Sequence, residues 1–268
     1  MSELYLSATF RQAWQNQDPF EAVKQLKGKV YRQVKNRKTL AFNWQGRWYF
    51  IKIHQGIGWG EIIKNLISLR PPIFSATNEY RAIKRLTALQ VATMEVAAYG
   101  KRGINPAKLE SFIITKALTD TQSLEQLAAH WIDQPPTFSY KLALLKQVAW
   151  ISRQLYLNGI NHRDYYLCHF LLKSHDPANP LDFTLYLIDL HRAGIHVYKR
   201  QRWFIKDIAG LYFSAMNTSL TQRDYYRFMR LYFNKSLADT LKQDKKFWQR
   251  VNTRAFTLFD KVHKKASN

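Results

Sequence analysis

The sequence predicts an α+β protein in two parts, a small lobe with five antiparallel strands and a larger, mainly helical lobe. Three observations carry this. Between Lys29 and Ile53 the apolar residues alternate with polar ones, and polar turns interrupt the runs. After Thr121 the apolar spacing lengthens to that of helices. The 268 residues, 46% hydrophobic and 15% aromatic, can bury a sizeable core and are too apolar for a disordered chain. The boundary is placed at residue 118, giving an N-terminal lobe over 1–118 and a helical lobe over 119–268.

In chain order, residues 4–14 are ambiguous in period. Asp18-Pro19 then reads as an N-cap followed by proline at the first helical position, with Gly28 as the stop of that short helix. Three strands are expected over 30–34, 39–42 and 48–53, with turns at 35–38 and 45–47. Residues 62–69 form a short apolar helix ended by Arg70-Pro71-Pro72. Residues 77–90 form a second helix, and 92–99 and 111–115 complete the sheet. Ser123 caps a helix whose third following residue, Gln126, has capping-box spacing. A long amphipathic helix over 139–157 places Leu142, Leu145, Ala149, Ser152 and Leu155 near one stripe, with Asn158-Gly159 as its stop. A helical segment over 202–216 and an aromatic-rich, basic helical remainder close the chain, with no internal repeat.

Composition limits the setting. The one cysteine, Cys168, excludes an internal disulfide framework and fits a reducing compartment. No apolar run has the length of a membrane span, and Met1-Ser2-Glu3 lacks a basic-then-apolar signal pattern. A cytoplasmic location is therefore expected, free or against a membrane from that side. With 41 basic and 19 acidic residues the net charge is +22, and the excess is shared by both parts of the chain. Such a field favours an anionic partner: nucleic acid, a phospholipid surface, a phosphorylated glycolipid or a small acidic protein.

The chemistry concentrates in residues 160–172. His162-Arg163-Asp164 is followed by His169, five places after the acid, and then by Phe170-Leu171-Leu172. A second apolar run, Tyr186-Leu187-Ile188, delivers Asp189. This pairing resembles the catalytic loop and metal-binding Asp of the protein-kinase-like fold. Phosphoryl transfer needs one acid to orient and accept the proton of an attacking hydroxyl, and another to hold the metal bridging the phosphates. Rigid apolar flanks suit both tasks. Lys52, between Ile51 and Ile53, has the place of a phosphate-gripping lysine, and Glu79 is the candidate carboxylate partner because it shares a helix face with Ile83 and Leu86. Glu61 is the competitor, nearer in sequence but opening a separate helix. The glycine-rich stretch from Gly56 to Gly60, including Gly58 and Trp59, is either a ligand-gripping loop or a plain connector. Lys116-Ala117-Leu118 is the connector on which an adenine ring would dock through main chain. Arg192 is a candidate anion contact beside Arg163, and Asp207, an acid in apolar context, is expected to accept backbone amides of the organising loop.

With these residues in place, the sequence resembles the lipopolysaccharide core heptose(I) kinase family of Gram-negative bacteria. The resemblance covers most of the chain, from about Phe10 to the final helix. It rests on the run from Gly56 to Leu66, on Asn78-Glu79-Tyr80, Asn161-His162-Arg163-Asp164, Leu167-Cys168-His169-Phe170 and Ile188-Asp189-Leu190-His191-Arg192. It implies ATP- and Mg2+-dependent phosphorylation of the first heptose of the inner core at the cytoplasmic face of the inner membrane. Asp164 would then be the catalytic base, Asp189 a magnesium ligand, and Lys52 with Glu79 the phosphate-holding pair. The basic surface would meet a lipid-anchored glycan rich in acidic groups on an anionic bilayer, and it also permits a small acidic protein such as acyl carrier protein.

The chain departs from the general protein-kinase pattern at several places. Lys35-Asn36-Arg37-Lys38 stands where a glycine-rich loop would lie between the first two strands. His169 replaces an Asn, so it is expected either as a metal ligand or as a hydrogen-bonding group, since magnesium prefers oxygen. Asp189 is followed by Leu-His, and only eighteen positions separate it from Asp207, too few for a long regulated segment. Other acceptors remain open on sequence, namely another core sugar such as the octulosonic acid, or a protein tyrosine. Nucleic-acid binding is the third reading, and it requires basic residues concentrated on one face without a nucleotide cleft.

Overall fold

The computed structural model describes residues 2–34, 36–56, 75–105 and 107–266. Lys35, the expected helix over 62–69, Glu61, and the candidate residues Gly58 and Trp59 lie outside the described residues. The chain divides into two compact units, Met1–Arg85 with Met94–Thr119, and Leu86–Thr93 with Asp120–Asn268.

The first unit is built on a six-stranded antiparallel sheet in which β1 (Glu3–Leu6), β5 (Val96–Arg102), β6 (Glu110–Lys116), β4 (Arg47–His54), β3 (Arg37–Trp44) and β2 (Lys29–Val34) lie in that spatial order. Five strands were expected; the sixth is β1, an edge strand paired with β5 from Glu3↔Lys101 to Leu6↔Ala98. Four residues with both middle positions exposed carry no alternation to read. α1 (Ala8–Ala13) and α2 (Pro19–Gln25) bury Phe10, Phe20 and Val23 against Leu40, Phe42, Tyr49, Ile51, Phe112 and Ile114 of the sheet. Asp18 accepts a hydrogen bond from the Phe20 amide, the cap that its place before Pro19 predicts. Gly28 does not stop α2, which ends at Leu26 in extended conformation. A Cβ at Gly28 would stand 2.0 Å from the Ala41 carbonyl oxygen, so the glycine lets β2 approach β3. Residues 92–95 are not strand either. The Ala92 carbonyl and the Thr93 hydroxyl bond instead to the Leu187 backbone, at 2.9 and 2.7 Å, within the second unit.

The second unit holds two small sheets, β10 (Phe183–Leu187), β9 (Phe170–Ser174) and β7 (Gln122–Ser123) in one, β11 (Gly194–Ile195) with β8 (Ile160–Asn161) in the other. α4 (Leu124–Ala129) carries the expected Ser123–Gln126 capping box. α5 (Phe138–Leu157) buries Leu144, Val148, Ala149, Ile151, Ser152 and Leu155 and stops at Asn158, with Gly159 at φ +65. α6 (Gln201–Ala215), α7 (Gln222–Phe233), α8 (Leu237–Gln243) and α9 (Lys245–Ala266) complete it, α7 packing on α5 and α9 on α6. Lys141 of α5 and Asp224 of α7 form a 2.9 Å ion pair. An apolar cavity of about 670 Å³ lies among these helices, walled by residues such as Trp131, Leu144, Val148, Leu211, Tyr225 and Met229. The turn joining β9 to β10 is closed on itself by the bonds Asn179 N–H to Asp176 O, Asp182 N–H to Asn179 O and His175 N–H to Asp182 O.

Candidate active site

Lys52 lies in β4 opposite Thr39 and Ile113, and its backbone neighbours Ile51 and Ile53 point into the core. Strand alternation therefore turns the lysine to the other face. α3 (Thr77–Ala88) presents Glu79 in its first turn, and the Lys52 Nζ–Glu79 Oε1 distance is 2.7 Å. Glu79 is 2% exposed and Lys52 18%, so the pair is held away from bulk water. A relay fixes the helix start: Ser75 Oγ donates to Thr77 Oγ1, Thr77 to Tyr99 OH, and Tyr99 to Glu3 Oε2. The Tyr80 ring stacks on Tyr99 at 3.9 Å. The other Glu79 oxygen, Oε2, is buried without a hydrogen-bond partner among the described residues. In the connector, the Lys116 amide donates to Glu95 O and the Ala117 amide to Trp48 O, both at 2.9 Å. Those two N–H groups are committed to the fold.

In the second unit the paired strands β9 and β10 set the two acids in register, Leu187 facing Phe170. Just beyond the pair, Ile188 N–H donates to His169 O at 3.0 Å, joining the stretch that carries Asp164 to the stretch that carries Asp189. His162 adds a second bond, its Nε2–H donating to Ile188 O at 2.8 Å. The imidazole is wholly buried, and burial lowers its pKa to about 4, so it stays neutral, with no hydrogen-bond partner for Nδ1 among the described residues. Asp207 in α6 accepts the amides of His162 at 2.6 Å and Arg163 at 2.9 Å. Burial pushes its carboxyl up to about 7 against the opposing effect of those two amides. Arg163 and Asp189 both have left-handed backbone, φ +73 and φ +59, conformations that cost a side-chain-bearing residue energy and are kept by the surrounding bonds. Below the loop, Tyr165 OH donates to Ser152 Oγ, whose own proton goes to Val148 O.

Around the acids, Arg192 Nη1 donates to Asp164 Oδ1 at 2.7 Å, and His191 Nδ1–H donates to Asp189 Oδ1 at 2.6 Å. His169 Nδ1–H donates to the Asp164 carbonyl at 2.6 Å, leaving Nε2 3.6 Å from Asp189 Oδ2. Burial opposes a charge on His169, but bonds with Cys168 and the Asp164 carbonyl and the charge of Asp189 raise it to about 9. A protonated imidazole donates and does not ligate. Among the described residues no group of three or more His, Cys, Asp and Glu side chains is set to hold a metal. Magnesium is usually held by one or two carboxylates, with phosphates and waters filling the remaining positions, so the carboxylate of Asp189 fits its chemistry.

The structure thus pairs Lys52 with Glu79 in the first unit and gathers Asp164, His169, Asp189, Arg192 and Asp207 in the second. Sequence reasoning missed His191 as the partner of Asp189 and Arg192 as the partner of Asp164. Their place in Asp189-Leu190-His191-Arg192, with buried Leu190 turning the others outward, was the available signal.

The model of the lipopolysaccharide kinase (Kdo/WaaP) family matches residues 21–232. The lipopolysaccharide core heptose(I) kinase WaaP of Pseudomonas aeruginosa is 44% identical, over 96% of this chain and 96% of that protein. The protein of the same name from Escherichia coli is 44% identical over 97% and 98%. A solved structure of WaaP in complex with acyl carrier protein superposes with a TM-score of 0.84 at 40% identity, covering 96% of this chain and 99% of that one. The chain belongs to the lipopolysaccharide kinase (Kdo/WaaP) family.

Proposed function

We propose that this chain transfers the terminal phosphoryl group of ATP to a hydroxyl of the first heptose of the lipopolysaccharide inner core. The observation that carries the proposal is the set Asp164, Asp189 and Arg192 on one registered hairpin and turn, in a chain whose near-full-length relatives are named core heptose(I) kinases. Arg192 occupies Asp164 Oδ1 and leaves Oδ2 to orient the acceptor hydroxyl and take its proton. His191 donates to Asp189 Oδ1 and orients that carboxylate, which would hold a metal ion. Magnesium, when bound, neutralises charge on the phosphates. We assign His169 to steadying Asp189 from outside the metal shell, since its Nδ1 is bonded and Nε2 faces that acid. Lys52 grips phosphate oxygens and Glu79 keeps the ammonium in place. The donor of the scissile phosphate leaves as ADP, and the acceptor oxygen keeps the new bond.

The acceptor is lipid-borne in this reading, so the protein works at the cytoplasmic face of the inner membrane. No described helix is long and apolar enough to cross a membrane, and we assign the chain peripheral contact with that face. We further assign it a small acidic partner of the acyl carrier protein type. The basic surface supports this, as does the complex captured for the relative, and the apolar cavity suits an acyl chain.

The test is ATP-dependent labelling of core glycolipid, with mass analysis of the released glycan. Phosphate on the first heptose is expected, and Asp164→Ala should cut the rate by about 10²–10⁴ while circular dichroism stays unchanged. Phosphate on octulosonic acid or on tyrosine would reassign the acceptor.

A further inference from the structure

The segment that follows the catalytic loop's partner strand has an exposure pattern that the reaction does not use. β11 pairs with β8 through Gly194↔Asn161 and Ile195↔Ile160, and Asn161 immediately precedes His162-Arg163-Asp164. Beyond Ile195 the chain turns outward. Val197 is 91% exposed and Tyr198 82%, and Ile195 is exposed as well. Lys199, Arg200, Arg202 and Arg163 are exposed as well, and no acidic residue occurs from Leu190 to Lys206.

The base of this protrusion is fixed. His196 N–H donates to Gly159 O at 3.0 Å and its Nε2–H to Asn161 Oδ1 at 2.7 Å. The His196 ring stacks on Trp203 with centroids 3.6 Å apart. Arg200 and Arg202 flank the Trp203 ring, and Lys199 lies over Tyr156 at 5.7 Å. A hydrogen-bonded, stacked stem therefore carries an exposed aliphatic–aromatic pair that Lys199, Arg200 and Arg202 follow directly in the chain. Folding gives no reason for exposing that tip, since neither side chain packs on the protein.

We propose that residues 195–202 are a docking element for an anionic lipid surface, Val197 and Tyr198 entering the headgroup region and Lys199, Arg200 and Arg202 meeting lipid phosphates. The chemistry selects the occupant. An acidic protein would be satisfied by the cations and has no use for an almost fully exposed valine. A sugar stacks on a tyrosine ring but gains nothing from an aliphatic branch. An aliphatic residue and a tyrosine within basic residues is the combination that partitions to a bilayer interface. This rests on the reading that the acceptor is lipid-borne, and adds the element that would bring Asp164 down to it.

The test is co-sedimentation of the full chain with vesicles of phosphatidylcholine alone, or with about 30 mol% phosphatidylglycerol added. The wild type should bind the anionic vesicles at least about tenfold better, and Val197→Asp with Tyr198→Asp, or Lys199→Glu with Arg200→Glu, should each lose about tenfold with unchanged circular dichroism. Turnover of a lipid-free core oligosaccharide by the Val197/Tyr198 variant should equal that of the wild type. Equal vesicle binding by wild type and variants would overturn the proposal, as would absence of wild-type binding. Loss of turnover on the lipid-free glycan would make the tip a sugar contact, and loss of a co-purifying carrier protein with vesicle binding intact would make it a protein contact. Vesicle binding as expected, with no phosphorylation of any core glycan by the wild type, would retain the docking element and remove the kinase assignment.

Discussion

At the scale of single residues, the buried histidine of the loop makes the fold sensitive to acid. His162 titrates near 4 in the folded protein and at its ordinary 6.5 when exposed in the unfolded chain. A depressed imidazole pKa means the folded state binds fewer protons, so the contribution is complete above pH 6.5, erodes as pH falls below that, and is gone by about pH 4. Its size is roughly 3 kcal/mol. Urea unfolding of the wild type and of His162→Asn between pH 7.5 and 4.5 should show a shallower pH slope in the variant. Lys52→Ala strands Glu79 in a buried position and should both remove activity and cost about 3 kcal/mol, whereas Lys52→Ala with Glu79→Gln should recover part of the stability and none of the activity. Arg192 and His191 show why single-residue readings of the site were incomplete. The motif pointed to the acids, and the short spacing of Asp189-Leu190-His191-Arg192 hinted at their partners, but the left-handed backbone at Asp189 is not written in that spacing.

At the scale of elements, a shielded carboxylate ties α7 to α5. Asp224 accepts from Lys141, from Arg227 and from the Thr221 amide and hydroxyl that begin α7. Asp224→Asn keeps the shape but removes the charge, and a stability loss of about 3 kcal/mol in chemical denaturation is expected. The elements that could be read in advance were those with strong local signals: the alternation of β2 to β4, the Ser123–Gln126 box and the Asn158-Gly159 stop. The ones that could not were set by neighbours. β1 exists because β5 offers it an edge, and Gly28 serves a close strand approach that looks, in sequence alone, like a helix stop. Residues 92 and 93 have strand-like composition and spend their hydrogen bonds on Leu187 instead.

For the whole molecule, a net charge of +22 acts over distances that ions in solution shorten. Association with an acidic carrier protein should therefore weaken steeply between about 0.05 and 0.5 M salt, read by pull-down or titration calorimetry. Binding held mainly by the apolar cavity would show little change over that range. The self-closed turn between β9 and β10 has a practical consequence of another kind. Because its bonds from Asp176 to Asp182 are satisfied among themselves, and the acids hang from the opposite end of the hairpin, that turn is the place to graft an affinity handle or a fluorescent reporter and still keep a working enzyme.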